Sequence, residues 1–387
     1  MLNVYILSMF RKFPLSMRRK YNAYLSEESI FHIERIFKKI EESEKNMPKL
    51  SIIEMPNIQK GAHFNNIDVN MQQTILDDFI KSYKCEFNID GRTFRIFINT
   101  YDSESYDLQN MFENTYKWLF VASKYANIHK CSRILEVYIY LTNLKKLIPR
   151  KMGTPIDSTN ANTGFTYVCT MPDSNNANEI NIFRKEEWFK VFIHETFHSL
   201  SLDFSDMAAE CAKAEEWLKQ HLFLVNIPDM RIYETYTEMW AEIMYLAFLS
   251  QNKIDAFKEF MCQEMIWSTF QSAKILHHYG LDYIRLLSGH GSHKYSEKTN
   301  SLAYYIAKCV FINNIDDFIR WTMAQNKGSI AFRKTALTID SFVKFLAELG
   351  GQESFMEKIQ QMDQWWQTHR RELPVDMQQT LRMTISG

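Results

Sequence analysis

The feature that most constrains this chain is a His-Glu-x-x-His motif, His194 to His198, inside the apolar run from Val191 to Leu200. In an α-helix, residues four positions apart lie about 40° from each other around the axis, so the two imidazoles fall on one face, one turn apart. Two imidazoles placed in this way can bind one metal ion. Glu195 lies about 100° round from His194, where its carboxylate suits a general base acting on a water beside that ion.

The motif predicts a zinc site that hydrolyses amide bonds. Zn²⁺ held by two neutral imidazoles and one carboxylate keeps a fourth position for water, lowers the pKa of that water to about 7 and polarises a carbonyl oxygen. The expected substrate is therefore a peptide or a protein. The alternative is a buried helix whose histidines only hydrogen-bond within the core, but two buried histidines with a glutamate between them would be costly without a ligand.

The third ligand is expected on a later helix, within residues 233–242. Glu234, Glu238 and Glu242 are spaced four residues apart and share one face of an otherwise apolar helix. We select Glu238 as the ligand, although the shared face leaves Glu234 and Glu242 open. Three carboxylates on one face would repel one another unless positive charge lies opposite, and a solvated acidic stripe is the alternative.

This combination resembles the gluzincin branch of zinc metallopeptidases, in which the motif helix supplies two histidines and a following helix supplies a glutamate. In several such families that glutamate opens a Glu-x-x-Ala-Glu stretch, which residues 238–242 match. The resemblance implies that Glu238 binds zinc and that Glu242 orients one of the histidines. Residues 162–166, 178–190 and 202–205 also resemble uncharacterised metallopeptidase-like proteins of nucleocytoplasmic large DNA viruses, a group that implies no particular substrate.

Metallopeptidases of this kind often add a tyrosine or histidine that donates a hydrogen bond to the oxyanion formed on the attacked carbonyl. Tyr295 and His293, in a glycine-containing loop, are candidates for this role, and so is Tyr236, which precedes the ligand glutamate. Tyr233 is a further candidate. The alternative, which the sequence favours for each residue taken alone, is an ordinary packing or surface residue. The polar and aromatic segment 294–305 could line a substrate pocket.

The order of predicted elements favours an α+β, zincin-like fold, with a small mixed β-sheet and helices followed by a mostly helical part. The turn Asp90-Gly91 between alternating apolar segments predicts a hairpin over 86–100. Before it we expect helices over 27–44 and 68–83, and after it a helix over 108–126 and strands over 135–141, 165–169 and 180–183. We expect residues 162–167 to form the sheet edge, where an extended substrate would pair. After Ser201 the chain is predicted to be almost entirely helical.

Three regions are predicted: an N-terminal helical and basic region over 1–60, a zincin-like α+β subdomain over 61–202 that ends with the motif helix, and a helical C-terminal subdomain over 203–387 that carries the third zinc ligand. A chain of 387 residues with 46% apolar residues is long enough to bury a substantial core.

Net charge, hydropathy and cysteine usage indicate which partners and which cellular compartment to expect. A net charge of −1 does not indicate the overall positive charge that nucleic-acid-binding proteins usually carry, so no nucleic-acid partner is predicted. No uncharged apolar stretch reaches about 18 residues, so no membrane partner is predicted. The apolar run 2–10 is followed, not preceded, by basic residues, which argues against a secretory signal. The six cysteines occur singly, which predicts buried thiols in a reducing cytoplasm. The viral resemblance implies that this is the cytoplasm of a host cell, with the virion as the alternative location.

The predicted function is thus a zinc-dependent peptidase, with His194, His198 and Glu238 as ligands and Glu195 as the base. The alternative is a catalytically inactive viral scaffold or host-binding protein that keeps the same architecture. The intact Glu195 favours the enzyme, because a structural zinc site needs no base and usually closes its fourth position. The oligomeric state is open.

Overall fold

The computed structural model describes residues 12–14, 17, 19–102, 106–128, 131, 133–169, 177–227 and 229–385. The N-terminal apolar run 2–10 and part of the basic cluster after it lie outside the described residues. The described part combines one mixed sheet with many helices, which confirms the predicted α+β class. The division into three regions stays a prediction.

Six strands in the described ranges form one sheet, in the order β1-β2-β3-β4-β6-β5. Their bounds are Ile53–Met55 (β1), Lys81–Ile89 (β2), Arg92–Thr100 (β3), Ile134–Tyr140 (β4), Gly164–Thr166 (β5) and Asn178–Ile182 (β6). Strands β3, β4 and β6 are parallel, whereas the pairs β1/β2, β2/β3 and β5/β6 are antiparallel. Strand β5 is the last in the order, so the prediction of a sheet edge within 162–167 is confirmed.

The predicted hairpin joins β2 to β3. Asp90 and Gly91 both have positive φ, 48° and 79°, as a two-residue type I′ turn requires. The pairing runs from Ile89 with Arg92 to Lys81 with Thr100. Because β2 already begins at Lys81, the helix predicted over 68–83 is shorter and ends at Asp77.

The helices, numbered in chain order, are Glu27–Lys45 (α1), Val69–Asp77 (α2), Leu108–Ser123 (α3), Ser158–Ala161 (α4), Trp188–Ser199 (α5), Ala208–His221 (α6), Ile232–Leu249 (α7), Ile254–His278 (α8), Tyr283–Ser288 (α9), Lys308–Ile312 (α10), Ile315–Gln325 (α11), Ala336–Gly350 (α12), Glu353–His369 (α13) and Val375–Gln379 (α14). A π-helical turn, Leu302–Ala307, runs directly into α10. The prediction of a mostly helical chain after Ser201 is therefore confirmed. None of these described helices is long and apolar enough to cross a membrane.

The motif helix α5 contacts both the sheet and the helical part. It lies against β5 and β6 and also against α7, which carries the three glutamates. Every residue of α5 from Phe189 to Ser199 is buried. Burial on all sides explains why this helix is apolar around most of its circumference.

The segment 381–385 is buried behind the motif helix. The backbone N–H of Thr384 donates to Oε1 of Glu187, 2.6 Å away, and the N–H of Ile385 donates to the carboxylate of Glu264. Nζ of Lys308 donates to the carbonyl oxygen of Met383 at 3.0 Å. This segment therefore forms part of the wall around the residues described next.

Two cysteines form a disulfide, so the prediction of six thiols was wrong for this pair. Cys131 is bonded to Cys169, with the two Cα atoms 5.2 Å apart. Cys85, Cys211, Cys262 and Cys309 are free. The paired cysteines are 38 residues apart and fit no recognised spacing, so only the fold brings them together.

Candidate metal centre

Three side chains from α5 and α7 converge at one point. Nε2 of His194 lies 3.2 Å from Nε2 of His198. Oε2 of Glu234 lies 3.0 Å from the first nitrogen and 3.3 Å from the second. This buried His-His-Glu group could hold a metal ion. The prediction that the two histidines lie on one face of the helix is therefore confirmed.

Glu234 reaches the histidines because the start of α7 is held in place. Oε1 of Glu215, on α6, accepts from the backbone N–H of Ile232 at 3.0 Å, and Oε2 accepts from that of Met230 at 3.3 Å. Arg231, between them, adopts a left-handed backbone conformation with φ of 46°. A side-chain carboxylate thus satisfies free N–H groups at the helix start, as capping groups do.

A second pair of carboxylates orients the imidazoles from behind. Nδ1 of His194 lies 3.0 Å from Oε2 of Glu238, and Nδ1 of His198 lies 2.5 Å from Oδ2 of Asp203. A neutral imidazole that donates from Nδ1 to such a carboxylate would leave the lone pair of Nε2 for a metal. Such contacts fix the orientation of a ligand ring and raise its basicity.

Glu238 therefore does not lie where we predicted the third ligand. The structure brings Glu234 to the two Nε2 atoms and places Glu238 on the opposite side of His194. Glu234 and Glu238 are one turn apart on the same helix face, so their spacing is equivalent in the sequence. How α7 lies against α5 decides which carboxylate reaches the metal-binding atoms.

Two buried lysines supply the positive charge that the acidic face requires. The ammonium group of Lys190 contacts Oε1 of Glu238. Nζ of Lys308 lies 2.6 Å from Oε2 of Glu242 and 3.4 Å from Oε1 of Glu238. Glu242 thus pairs with a lysine, whereas the resemblance implied that it orients a histidine; Glu238 and Asp203 have that role.

The electrostatics of the centre match this geometry. Burial by itself would raise the pKa of Glu238, but Lys190 and Lys308 outweigh it and hold this pKa well below its ordinary value. Burial would likewise lower the pKa of His198, but Asp203 and Glu234 outweigh it and raise this pKa well above its ordinary value. The centre therefore favours positive charge at the histidines, which a bound cation would supply in place of a proton.

Glu195 lines the same small cavity as His194. The cavity has a volume of about 30 Å³ and is also lined by Val191, Tyr304 and the edge residues Asn162, Thr163 and Gly164. Burial raises the pKa of the Glu195 carboxyl. No hydrogen bond joins this carboxyl to another described residue. Glu238 also lines this cavity, whereas His198 and Glu234 do not, and a volume of this size has room for one or two waters.

Three of the four candidates for stabilising an oxyanion, Tyr236, Tyr295 and His293, do not line this cavity. The hydroxyl of Tyr236 is buried and donates to the carbonyl oxygen of Ile330 at 2.6 Å. The hydroxyl of Tyr295 donates to Oε2 of Glu297 at 2.9 Å. His293 is exposed, in the short 3₁₀ turn Ser292–Lys294. The structure thus separates all three side chains from the cavity that Glu195 lines.

Tyr304 and the fourth candidate, Tyr233, flank the histidines. The ring centre of Tyr304 lies 5.9 Å from that of His194, and the ring centre of Tyr233 lies 5.9 Å from that of His198. Tyr304 is carried by the π-helical turn, a distortion often found at functional sites. Nδ2 of Asn300 donates to the Tyr304 hydroxyl at 3.3 Å and to Oε1 of Glu234 at 3.4 Å. Residue spacing does not reveal a π-helical turn, so the sequence offers no signal for this placement beyond the aromatic segment 294–305.

Comparison of the chain with protein-family models, with curated proteins and with solved structures finds no match.

Proposed function

We propose that this protein is a zinc-dependent peptidase in which His194, His198 and Glu234 bind the metal. The observation that carries the proposal is the convergence of the two Nε2 atoms and Oε2 within 3.0 to 3.3 Å of one another. Ligand atoms bonded at about 2.0–2.1 Å to one tetrahedral zinc ion are about 3.3 Å apart. Two imidazoles and one carboxylate are also the donor set of hydrolytic zinc sites, which keep a fourth position open. When bound, zinc would act as a Lewis acid and make a nucleophile available from water at neutral pH.

Glu195 is the proposed general base. It follows His194 directly, lines the same cavity and has no hydrogen-bond partner among the described residues, so its carboxylate is available to accept a proton. Proton transfer by a positioned carboxylate typically contributes a factor of about 10² to 10⁴ to the rate. Tyr304, which also lines the cavity, is the proposed donor to the developing oxyanion.

The edge strand supports a peptide as the substrate. Strand β5 pairs with β6 on one side and is the last strand in the sheet order. Its first residue, Gly164, lines the cavity together with Glu195. An extended peptide could add to this edge through backbone hydrogen bonds and pass its carbonyl group beside His194 and Glu195. This arrangement of sheet edge and motif helix is the reason we interpret the fold as zincin-like.

The ligand assignment is tested by zinc content per chain in three variants of one helix, Glu234→Gln, Glu238→Gln and Glu242→Gln. We expect Glu234→Gln to lose zinc. Glu238→Gln should keep a site whose affinity is weakened by about 10- to 100-fold, since it removes an orienting group. Glu242→Gln is the matched control and should bind zinc normally. Circular dichroism checks that each variant is folded.

Elemental mass spectrometry and competition with a chelator give the stoichiometry and the affinity. Retention of zinc by Glu234→Gln together with its loss from Glu238→Gln would reverse the assignment. Absence of zinc from the wild-type protein, even after incubation with the metal, would refute the metal centre itself.

Activity is tested by mass spectrometry of a mixed peptide library incubated with the zinc-loaded protein. Glu195→Gln is the control, because it should retain zinc and lose turnover. Cleavage by the wild type that stops on chelation and is absent from Glu195→Gln is the expected result. A fully zinc-loaded wild type that cleaves no peptide would instead favour the non-catalytic scaffold.

A further inference from the structure

A second cavity, of about 470 Å³, lies where α8, α13 and α14 meet the segment 148–152. Its size falls within the range of small-molecule sites. Most of its polar wall is basic, contributed by Arg150, Lys274, His277, His278, Arg370 and Arg371. None of the described residues that line it is acidic. This composition is unusual for a chain whose overall net charge is −1.

Lys274 is the most informative of these residues because it is only 2% exposed. Its Nζ donates to the carbonyl oxygens of Met377, at 3.2 Å, and Thr380, at 2.5 Å. No described carboxylate pairs with it, and burial lowers the pKa of its ammonium group well below the ordinary value. A buried cation without a counter-charge is costly. An anion in the adjoining cavity would offset this cost.

Like Lys274, the arginines of this cavity can bind an anion. Nη1 of Arg370 contacts Nε2 of His277, a ring whose pKa is lowered by burial and by Arg370 itself, so the neutral ring accepts from the guanidinium and helps to orient it. Arg150 and Arg371 are exposed and form no ion pair with a described residue. Glu372, the carboxylate next to Arg371, is paired with Lys12 at 2.8 Å.

We propose that this cavity binds a small molecule with two or more adjacent phosphate groups. Guanidinium groups bind phosphate oxygens through paired hydrogen bonds, and Lys274 adds a buried point charge to the cavity wall. The lysine and the three arginines of the wall together match an anion with several negative charges, whereas a single carboxylate would leave most of their positive charge unbalanced. Trp366, also in the wall, offers an apolar surface to an organic group. The site shares no residue with the metal centre and does not depend on peptidase activity.

Calorimetric titration of the full chain tests the proposal with three probes: inorganic pyrophosphate, ATP and citrate. Pyrophosphate should bind at one saturable site with a dissociation constant below about 1 mM. Tighter binding of ATP would identify a nucleotide-like ligand, and equal binding would identify the phosphates alone as the determinant. Citrate tests charge without phosphate. Binding of citrate as tight as that of pyrophosphate, or no saturable binding of either phosphate probe, would overturn the proposal.

The double variant Arg150→Gln/Arg371→Gln tests whether the phosphate groups bind in this cavity. Both side chains are exposed, so the fold should tolerate the change, and affinity for pyrophosphate should fall at least about tenfold. The matched control is Arg133→Gln/Arg333→Gln, which removes two exposed arginines that do not line the cavity. Equal weakening in both double variants would indicate diffuse charge attraction and overturn the site. Unchanged affinity in the first variant would overturn it as well.

Discussion

At the scale of residues, the centre separates carboxylates that look alike in the sequence. Glu234 reaches the Nε2 atoms, Glu238 reaches the Nδ1 atom of His194, and Glu242 pairs with Lys308. The three lie on one face of α7, yet each meets a different partner. Successive turns of a helix present their side chains about 5.4 Å further along the axis, so a neighbouring helix offers a different group at each turn.

The buried lysines should be essential to stability. Lys308→Met leaves Glu238 and Glu242 in the core with less positive charge opposite them, and removal of one partner from a buried ion pair typically costs about 3–5 kcal/mol. The free energy of unfolding, from denaturant titration, measures this effect. Lys344→Met is the control, since Lys344 pairs with Asp340 at 2.7 Å on the surface, where a pair contributes about 0–1 kcal/mol. Equal losses in the two variants would contradict the ion-pair role of Lys308.

Glu297 should make stability depend on pH. Its carboxyl is buried, which raises its pKa from 4.5 to about 7 although Ser301, Leu302 and Tyr295 donate to it. All three donors reach Oε2, whereas the buried Oε1 has no partner and can carry the proton. The folded protein therefore prefers the protonated acid.

The sign follows from this preference. The stabilising contribution of the protonated acid is fully present below pH 4.5 and is lost as the pH rises to about 7. Relative to Glu297→Gln, which cannot ionise, the wild type should lose on the order of 3 kcal/mol of unfolding free energy between pH 4 and pH 8. Denaturant titration of both proteins at the two pH values measures the difference. If the difference in unfolding free energy between the wild type and Glu297→Gln did not change with pH, the pKa of Glu297 would not be raised.

At the scale of elements, the sheet edge and the motif helix approach closely at a glycine. A Cβ atom on Gly164 would lie 2.9 Å from the carbonyl oxygen of Asn181 and 3.0 Å from Cγ1 of Val191. The first neighbour is backbone of β6, which cannot move independently of the sheet. Glycine at this position therefore allows β5 to lie beside the candidate metal centre.

Gly164→Ala should consequently displace β5 from α5. Overpacking of this kind typically costs about 1–3 kcal/mol of stability. If β5 is the substrate edge, the variant should also raise KM for a peptide substrate more than it lowers kcat, while the zinc content stays unchanged. Thermal unfolding and steady-state kinetics on the same preparation measure both effects. Wild-type stability together with wild-type KM would contradict the close approach.

At the scale of the whole molecule, the disulfide connects the region before β4 to the segment after β5. The backbone N–H of Cys169 donates to the carbonyl oxygen of His198 at 3.3 Å, so this cross-link also holds chain beside the motif helix. Such cross-links persist mainly in oxidising compartments, which opposes the predicted reducing cytoplasm.

Loss of this cross-link should destabilise the protein. The double variant Cys131→Ser/Cys169→Ser should lose about 2–4 kcal/mol of unfolding free energy, chiefly because the unfolded chain becomes less restricted. A reducing agent should lower the melting temperature of the wild type and leave that of the double variant unchanged, which provides an internal control for the free thiols. An equal response of both proteins to the reducing agent would contradict a stabilising disulfide.

Features that depend on contacts within one element or one turn could be predicted from the sequence. Helical spacing placed His194 and His198 on one face, the Asp90-Gly91 turn produced the hairpin, and a short strand preceding the motif helix became the sheet edge. These predictions succeeded because periodicity and turn chemistry are local properties of the chain.

The remaining features depend on how the elements pack against one another. Glu234, not Glu238, reaches the Nε2 atoms of the histidines, Tyr304 is presented by a π-helical turn, and Lys274 lines a cavity together with arginines far away in the chain. Each of these outcomes depends on how two elements are rotated and crossed against each other, and residue spacing does not specify that rotation. Carboxylates one turn apart are equivalent to a periodic pattern, and they become different only when a neighbouring element contacts one of them and not the other.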